Sequence, residues 1–413
     1  MTNNNVPKLR FPEFSDGWEV KKLGDIILKL SSGVSVNSID EPIKETGEYG
    51  ILKTSCISSG KFYPTQNKKI VPNEVSKAKL NPLADTILIS RMNTPQLVGE
   101  SGYIDNDYPN LFIPDRLWMT EIGIQNNAKF LSILLSSSNM MEKISNIASG
   151  TSGSMKNISK PNFLDIECTF PTLPEQQKIA SFLSTVDEKL QALKKKKSLL
   201  EIYKKGVMQK LFSQQIRFKD DEENDFEDWE VNKLGDVTRK VDKKNKEKEI
   251  LPVYSISNKN GFVHQSEQFD GVDSVERGYD TSLYKIIEPQ TFAYNPARIN
   301  VGSIGYSGIL EKVLVSSLYV TFKTASTVSD LFFSYFLQTK HFNKSVIRNS
   351  EGGVRDYLFY ENFSQIRIDL PSFPEQTKIA NFLTAIDEKI NKVDVQIKQT
   401  ELWKKGLLQQ MFV

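Results

Sequence analysis

Along two stretches of the chain, apolar residues recur at alternating steps of four and three. The first stretch carries them at Ile179, Leu183, Val186, Leu190, Leu193, Leu200, Val207 and Leu211. The second carries them at Ile379, Leu383, Ile386, Ile390, Val393, Ile397, Leu407 and Met411. This is the heptad seam of a coiled coil, interrupted by the polar residues Lys197, Lys204, Thr400 and Lys404. Each stretch opens on Pro-Glu, which suits a first helical turn: proline sacrifices no needed donor there, and the carboxylate meets the positive helix end. A helix of about 39 residues is roughly 58 Å long. Such a helix does not hold together alone in water, so each seam needs a partner. The nearest partner is the other stretch. The pattern predicts two long helices packed on each other, a rod holding two other bodies apart.

The two stretches are copies. PTLPEQQKIASFLSTVDEKL and EIYKKGVMQKLF, between 171 and 212, match PSFPEQTKIANFLTAIDEKI and ELWKKGLLQQMF, between 371 and 412. About 18 of roughly 42 aligned positions are identical, which marks an internal duplication. The start of each half is duplicated too: FSDGWEVKKLGDI from Phe14 to Ile26 against DFEDWEVNKLGDV from Asp225 to Val237, pairing Trp18 with Trp229 and Leu23 with Leu234. Between these frames lie two bodies of about 150 residues, a usual domain size.

The first body predicts strands at Ile51–Ile57, Asp85–Ser90 and Leu111–Met119, a helical segment from Asn127 to Ile147, and a Gly/Ser loop over 149–154. The second repeats the rhythm, with strands at Phe292–Tyr294 and Val313–Lys323, a helical segment from Val328 to Val346, and a loop at Glu351-Gly352-Gly353. VGESGY at 98–103 echoes VGSIGY at 301–306, and PNFLDI at 161–166 echoes ENFSQI at 361–366. The bodies are expected to share a fold while their surfaces differ. That is the pattern of two sites of one kind with different specificities. Residues 1–13 look like a tether, the acidic segment 213–228 like a flexible joint, and 242–249 like a solvated loop.

Composition narrows the class. The 413 residues are too many for one compact core, and 39% hydrophobic with 25% charged fits a soluble globular protein. Two distant cysteines, Cys56 and Cys168, suit a reducing cytosol better than a disulfide scaffold. No apolar run approaches the roughly 20 residues that span a bilayer, and the N-terminal sequence lacks a secretory core. A cytoplasmic protein is expected. The net charge of +2 argues for no partner by itself.

The chain looks catalytically empty. His264 and His341 sit in unrelated contexts and make no zinc spacing with the cysteines. There is no GxxxxGK[ST] phosphate loop, and VGESG and VGSIG are too short for a dinucleotide fingerprint. Neither Asn81-Pro82 nor Asn295-Pro296 continues into the Asn-Pro-Pro-aromatic pattern of an amino-methyltransferase. Asp187-Glu188-Lys189 and Asp387-Glu388-Lys389 superficially resemble a nuclease carboxylate set, yet they lie on the predicted coiled coil, where they form a charged flank.

Candidate DNA contacts fall in or near turns. In the first body these are Arg91, Asn93, Gln96, Arg116, Ser152, Ser154, Lys156 and Asn157. In the second they are Asn295, Arg298, Asn300, Ser303, Arg348, Asn349 and Arg355. Arginine reads guanine edges, Asn and Gln read adenine, and small hydroxyl residues admit the phosphate backbone. Lys61, Lys68, Lys69, Lys259 and Lys285 offer phosphate contacts. Taken singly, such a residue is more often an ordinary surface residue than a base contact. Arg91, Arg298 and Arg355 stand out because they flank glycines in loops between strands.

PEQQKIASFLSTVDEK with KKGVMQKLF, repeated as PEQTKIANFLTAIDEK with KKGLLQQMF, together with GWEVKKLGD and DWEVNKLGD, resembles the specificity (S) subunits of bacterial type I restriction–modification systems. The resemblance covers the whole chain. It implies an α+β protein: two similar mixed α/β target-recognition domains joined by two long helices that form an antiparallel coiled coil, an internal pseudo-twofold repeat. The expected division is 1–170 first recognition domain, 171–212 first helix, 213–228 linker, 229–370 second recognition domain, and 371–413 second helix. The resemblance also implies a non-enzymatic subunit that holds no cofactor. It would direct two copies of a methylation (M) subunit and the restriction (R) subunits to a bipartite target on double-stranded DNA, with S-adenosylmethionine, ATP and Mg bound by those partners. Phe182, Tyr203, Phe382 and Trp403 are candidate anchors for the methylation subunit; the alternative is that they serve only the seam. Two other readings are a fused DNA methyltransferase and a coiled-coil scaffold that reads no DNA.

Overall fold

Leu173–Phe212 and Phe373–Gln410 are single helices. The structure, a computed structural model, describes residues 6–58, 60–150, 155–268, 271–351 and 357–412. It divides into two units, residues 1–193 with 396–413, and residues 194–395. Each unit contains part of both long helices and one of the two bodies.

In the second unit Lys197 pairs with Asp394 at 2.5 Å and Lys204 with Asp387 at 2.7 Å. Moving from 197 to 204 on one helix means moving from 394 back to 387 on the other, so the pair is antiparallel. Leu211 of the first helix shares a core there with Ile379, Leu383 and Ile386 of the second. In the first unit Ile179, Leu183 and Val186 pack in one core with Leu407 and Met411, and Lys404 donates to both oxygens of Asp187 at 2.7 and 2.9 Å. The polar interruptions of the heptads are thus largely cross-helix ion pairs, and Asp187 and Asp387 belong to that charged flank.

Each body carries two main sheets. In the first unit a six-stranded sheet runs Ile27–Ser32, Leu117–Ile122, Thr86–Ser90, Ser101–Ile104, Lys61–Phe62, Ile57–Ser58, and a four-stranded one runs Leu111–Phe112, Gly50–Leu52, Asn67–Ile70, Ser38–Ile39. In the second unit the corresponding sheet runs Thr238–Lys240, Val320–Thr324, Phe292–Tyr294, Ile304–Tyr306, and the other runs Gly261–His264, Val253–Ser257, Val313–Val315, Lys285–Ile287. The two glycines of VGESGY and VGSIGY have distinct backbone roles. Gly99 and Gly302 take the left-handed φ of +86° and +93°, which glycine adopts without penalty. At Gly102 and Gly305 a Cβ would come within 2.9 Å of Lys61 backbone and 3.0 Å of the Gly261 Cα. These glycines let a neighbouring strand cross closely.

Both predicted helical segments are interrupted. Residues 127–147 form Ala128–Leu135 and Ser138–Ile147, because the Ser137 hydroxyl caps a new helix by accepting from the Met140 amide. Residues 328–346 break likewise into Asp330–Phe336 and Lys340–Asn349, where Thr339 accepts from the Phe342 amide at 3.1 Å. A capping side chain overrides apolar periodicity that would otherwise run on.

The repeated frame closes each body just before its long helix. Glu19–Lys22 pairs antiparallel with Glu167–Phe170, and Glu230–Lys233 with Arg367–Leu370. The Pro-Glu-Gln that follows is a latch. Glu175, 1% exposed, accepts two 2.7 Å bonds from Arg10 and one at 3.3 Å from the Trp18 indole. Glu375, fully buried, accepts from Arg217 at 3.1 and 2.8 Å and from Trp229 at 3.0 Å. These hydrogen bonds hold both guanidinium groups above their ordinary pKa. The adjacent glutamines tie helix to body: Gln176 accepts from the Asn127 amide at 2.9 Å, and Gln376 from the Ser329 amide at 2.8 Å.

The described part of the segment expected to be a tether, residues 6–13, and the segment expected to be a flexible joint are therefore docked. Leu9 donates to the Gln410 carbonyl at 2.9 Å and Phe11 packs on Phe182 at 5.6 Å. In the same way Phe218 packs on Phe382 at 5.5 Å. Their polar composition hid the adjacent pairs Arg10-Phe11 and Arg217-Phe218.

Candidate nucleic-acid interface

The candidate contacts of the first unit gather around one loop, 91–100, which leaves the strand Thr86–Ser90 and returns through Ser101–Ile104. Met92–Asn93 forms a short antiparallel ribbon with Lys156–Asn157, just beyond the Gly/Ser loop. Arg91 ties this ribbon down: its Nε donates to the Asp115 carbonyl at 2.7 Å and its Nη1 to the Asn157 side-chain oxygen at 3.2 Å. Its backbone amide donates to the Arg116 carbonyl at 3.1 Å. Asn93 caps its own turn, accepting from the Thr94 amide at 2.9 Å. Arg116 and Gln96 are exposed, and Lys156 and Asn157 half-buried. The fold thus brings Arg91, Asn93, Arg116, Lys156 and Asn157 to one patch, with Gln96 on the same loop. Ser152 and Ser154 lie outside the described residues.

The second unit builds the same loop from different residues. Asn295–Ser303 follows the strand Phe292–Tyr294 and returns through Ile304–Tyr306. In the first unit the Ile158 amide donates to the Arg91 carbonyl at 2.9 Å; here the Leu358 amide donates to the Pro296 carbonyl at 3.1 Å. Ser149 and Asn157 exchange two backbone bonds, and Glu351 and Tyr357 do the same. Arg298 and Asn300 are exposed and Asn295 is half-buried. Arg348 is exposed near the end of the helix Lys340–Asn349, which packs beside Ile299–Val301. Asn349 spends a side-chain donor on the Ser345 carbonyl at 2.8 Å. Ser303 is 2% exposed and donates to the Ile256 carbonyl at 2.6 Å, so it holds the loop rather than facing outward. Arg355 lies outside the described residues.

Of the candidate phosphate lysines, Lys285 is buried and is committed to the Tyr319 carbonyl at 2.7 Å and to Asp242 at 3.0 Å. Lys61, Lys68 and Lys69 each have a carboxylate neighbour, in Asp187, Asp40 and Glu48. The four candidate anchors divide. Phe182 is half-buried between Phe11 and Trp403, and Phe382 lies against Phe218. Tyr203 and Trp403 remain about half exposed.

Sequence comparison bears directly on this doubled arrangement: residues 15–202 and 226–400 both match the type I restriction modification DNA specificity domain. The chain belongs to this family. Among its relatives, a putative type I restriction enzyme MjaX specificity subunit of Methanocaldococcus jannaschii is 23% identical over 98% of this chain and 95% of its own length. The MjaVIII specificity subunit of the same organism is 25% identical over 97% and 92%. The fold is that of the S subunit of a type I restriction–modification system from M. genitalium, with a TM-score of 0.61 and 18% identity over 99% of both chains. A chain from a structural study of type I restriction–modification complex assembly and conformational transition gives 0.54 and 14% over 98% and 99%. The specificity-domain fold therefore occurs twice here, once per unit, on the paired helices anticipated from the heptads. Among the described residues no helix is long and apolar enough to cross a membrane.

Proposed function

We propose that this chain is the non-catalytic specificity subunit of a type I restriction–modification complex, and that each unit reads one half of a bipartite DNA target. The observation that carries this reading is the same loop built twice on the same frame with different side chains. Equivalent backbones bind equivalent grooves, while different residues select different bases. The first unit would read with Arg91, Asn93, Gln96, Arg116, Lys156 and Asn157. The second would read with Asn295, Arg298 and Asn300, joined by Arg348. The methylation subunits would dock on the repeated helices, with Tyr203 and Trp403 the exposed aromatics suited to anchor one copy each. S-adenosylmethionine, ATP and Mg would be held by the partner subunits in the cytoplasm, and restriction subunits would join that assembly. The purified chain alone should transfer no methyl group to DNA and bind no S-adenosylmethionine by calorimetry. Adding its methylation subunit should yield methylation at one defined sequence. Cofactor binding or methylation by the lone chain would instead indicate a fused methyltransferase.

The helices would then act as a ruler. Inserting one heptad into both, after Leu193 and Val393, adds roughly 10 Å of helix. The unread gap in the target should lengthen by about three base pairs, at roughly 3.4 Å per step. Methylation-sensitive sequencing of cells carrying the variant and its partner reads this directly. An unchanged gap rejects the ruler.

A further inference from the structure

The second unit carries exposed apolar and aromatic side chains beside its loop. Leu318 is 77% exposed and Phe359 is 51% exposed. The Tyr357 and Phe359 rings stack at 5.8 Å with 3° between their planes. Together with Asn295, Pro296 and Arg298 they line one open hollow. Leaving the surface of a leucine and an aromatic ring exposed to water is unfavourable, and a grouped apolar patch at a candidate binding loop marks a contact surface.

Position for position, the first unit is polar. The turn that places Arg116 before its strand is closed by the Leu117 amide on the Pro114 carbonyl; the equivalent turn, with the Tyr319 amide on Ser316, places Leu318. The paired bonds of Ser149 with Asn157, and of Glu351 with Tyr357, align Asn157 with Tyr357. Ser159 then falls where Phe359 stands. So Arg116, Asn157 and Ser159 are answered by Leu318, Tyr357 and Phe359.

We infer that the second unit recognises thymine by its C5 methyl group, through Leu318, Phe359 and Tyr357, while the first unit reads by hydrogen bonds. Among the four unmodified bases only thymine presents a methyl group in the major groove, and this is the base-edge feature that apolar side chains read there. Arg298 on the same rim supplies the positive charge that brings a DNA groove to this patch rather than an apolar peptide. The inference rests on the DNA-reading function proposed above and specifies its chemistry.

The test uses the complex of this chain with its methylation subunit. Once the target is known, the half-site belonging to the second unit is the one that changes when residues 238–360 are exchanged. Each thymine of the target is then replaced by uracil, which removes only the methyl group, and binding is measured by competition. Uracil in the second unit's half-site should weaken binding about fourfold at one position or more, the worth of one buried methyl group, and uracil in the first unit's half-site by less than about twofold. In a Leu318→Ala/Phe359→Ser variant the uracil penalty should vanish. Both residues are exposed, so the variant should keep the wild-type melting temperature and first-unit half-site. A half-site without thymine, uracil tolerated throughout, or a penalty unchanged in the variant would each overturn the inference. In all three cases transversions would still abolish binding if the DNA-reading function holds; indifference to transversions would reject that function itself.

Discussion

Replacing Arg217 with alanine should destabilise the second unit by about 3–5 kcal/mol, the cost of leaving one partner of a buried ion pair alone. The magnitude follows from which partner is left. Glu375 is fully buried, and without Arg217 its carboxylate keeps, among the described residues, only the Trp229 indole as a side-chain donor. Arg217 is closer to the surface, at 22% side-chain exposure, and has further acceptors in the Phe226 and Glu227 carbonyls. Removing the charge from the carboxylate should therefore cost less than removing its partner. In a Glu375→Gln background, the Arg217→Ala loss should shrink to about 1 kcal/mol, because a neutral amide tolerates burial far better than a lone charge. Arg10 and Glu175 should behave alike in the first unit. Urea unfolding of the single and double variants, followed by circular dichroism, measures the coupling. Equal losses for Arg217→Ala in both backgrounds would mean that the pair is not coupled. A loss of this size is a large fraction of the stability of an ordinary domain.

The long helices were legible in the sequence because burial of their seam imposes a period. Ile179, Leu183, Val186, Ile379, Leu383 and Ile386 are all buried, and the heptad lysines found carboxylates on the facing helix. The duplication was legible for a related reason: Trp18, Leu23 and their counterparts Trp229 and Leu234 hold equivalent frames. Arg10 and Arg217 were not legible, since a single arginine in a polar segment carries no periodic signal. Only the fold reveals that each is aimed at a glutamate more than 150 positions away. The helix breaks at Ser137 and Thr339 escaped for a local reason, as one hydroxyl decides between continuing and restarting a helix. At the candidate interface only the polar half was legible. Arg91, Asn93 and Arg298 stand out by residue type, whereas Leu318, Tyr357 and Phe359 are of types that cores also use, so only their place in the fold sets Leu318 and Phe359 apart as exposed. Ser303 failed in the opposite direction, a polar residue whose hydroxyl is spent inside the fold.

The largest functional effect should come from exchanging residues 238–360 for the matching piece of another specificity subunit. The cut points leave the frame intact: the Leu234 amide on the Ile366 carbonyl and the Gly235 amide on Ser364 stay with the host. Thr238 and Tyr360, hydrogen-bonded to each other at 3.0 Å, travel together. The latch of Arg217, Trp229 and Glu375 also lies outside the exchanged piece. Methylation-sensitive sequencing of DNA from cells expressing the chimera with its methylation subunit gives the most direct reading. One half of the methylated target should be replaced by the donor's half-site, with the other half and the gap unchanged. A target that stayed the same, or one in which both halves changed, would contradict the account of two independent reading units on a shared helical frame.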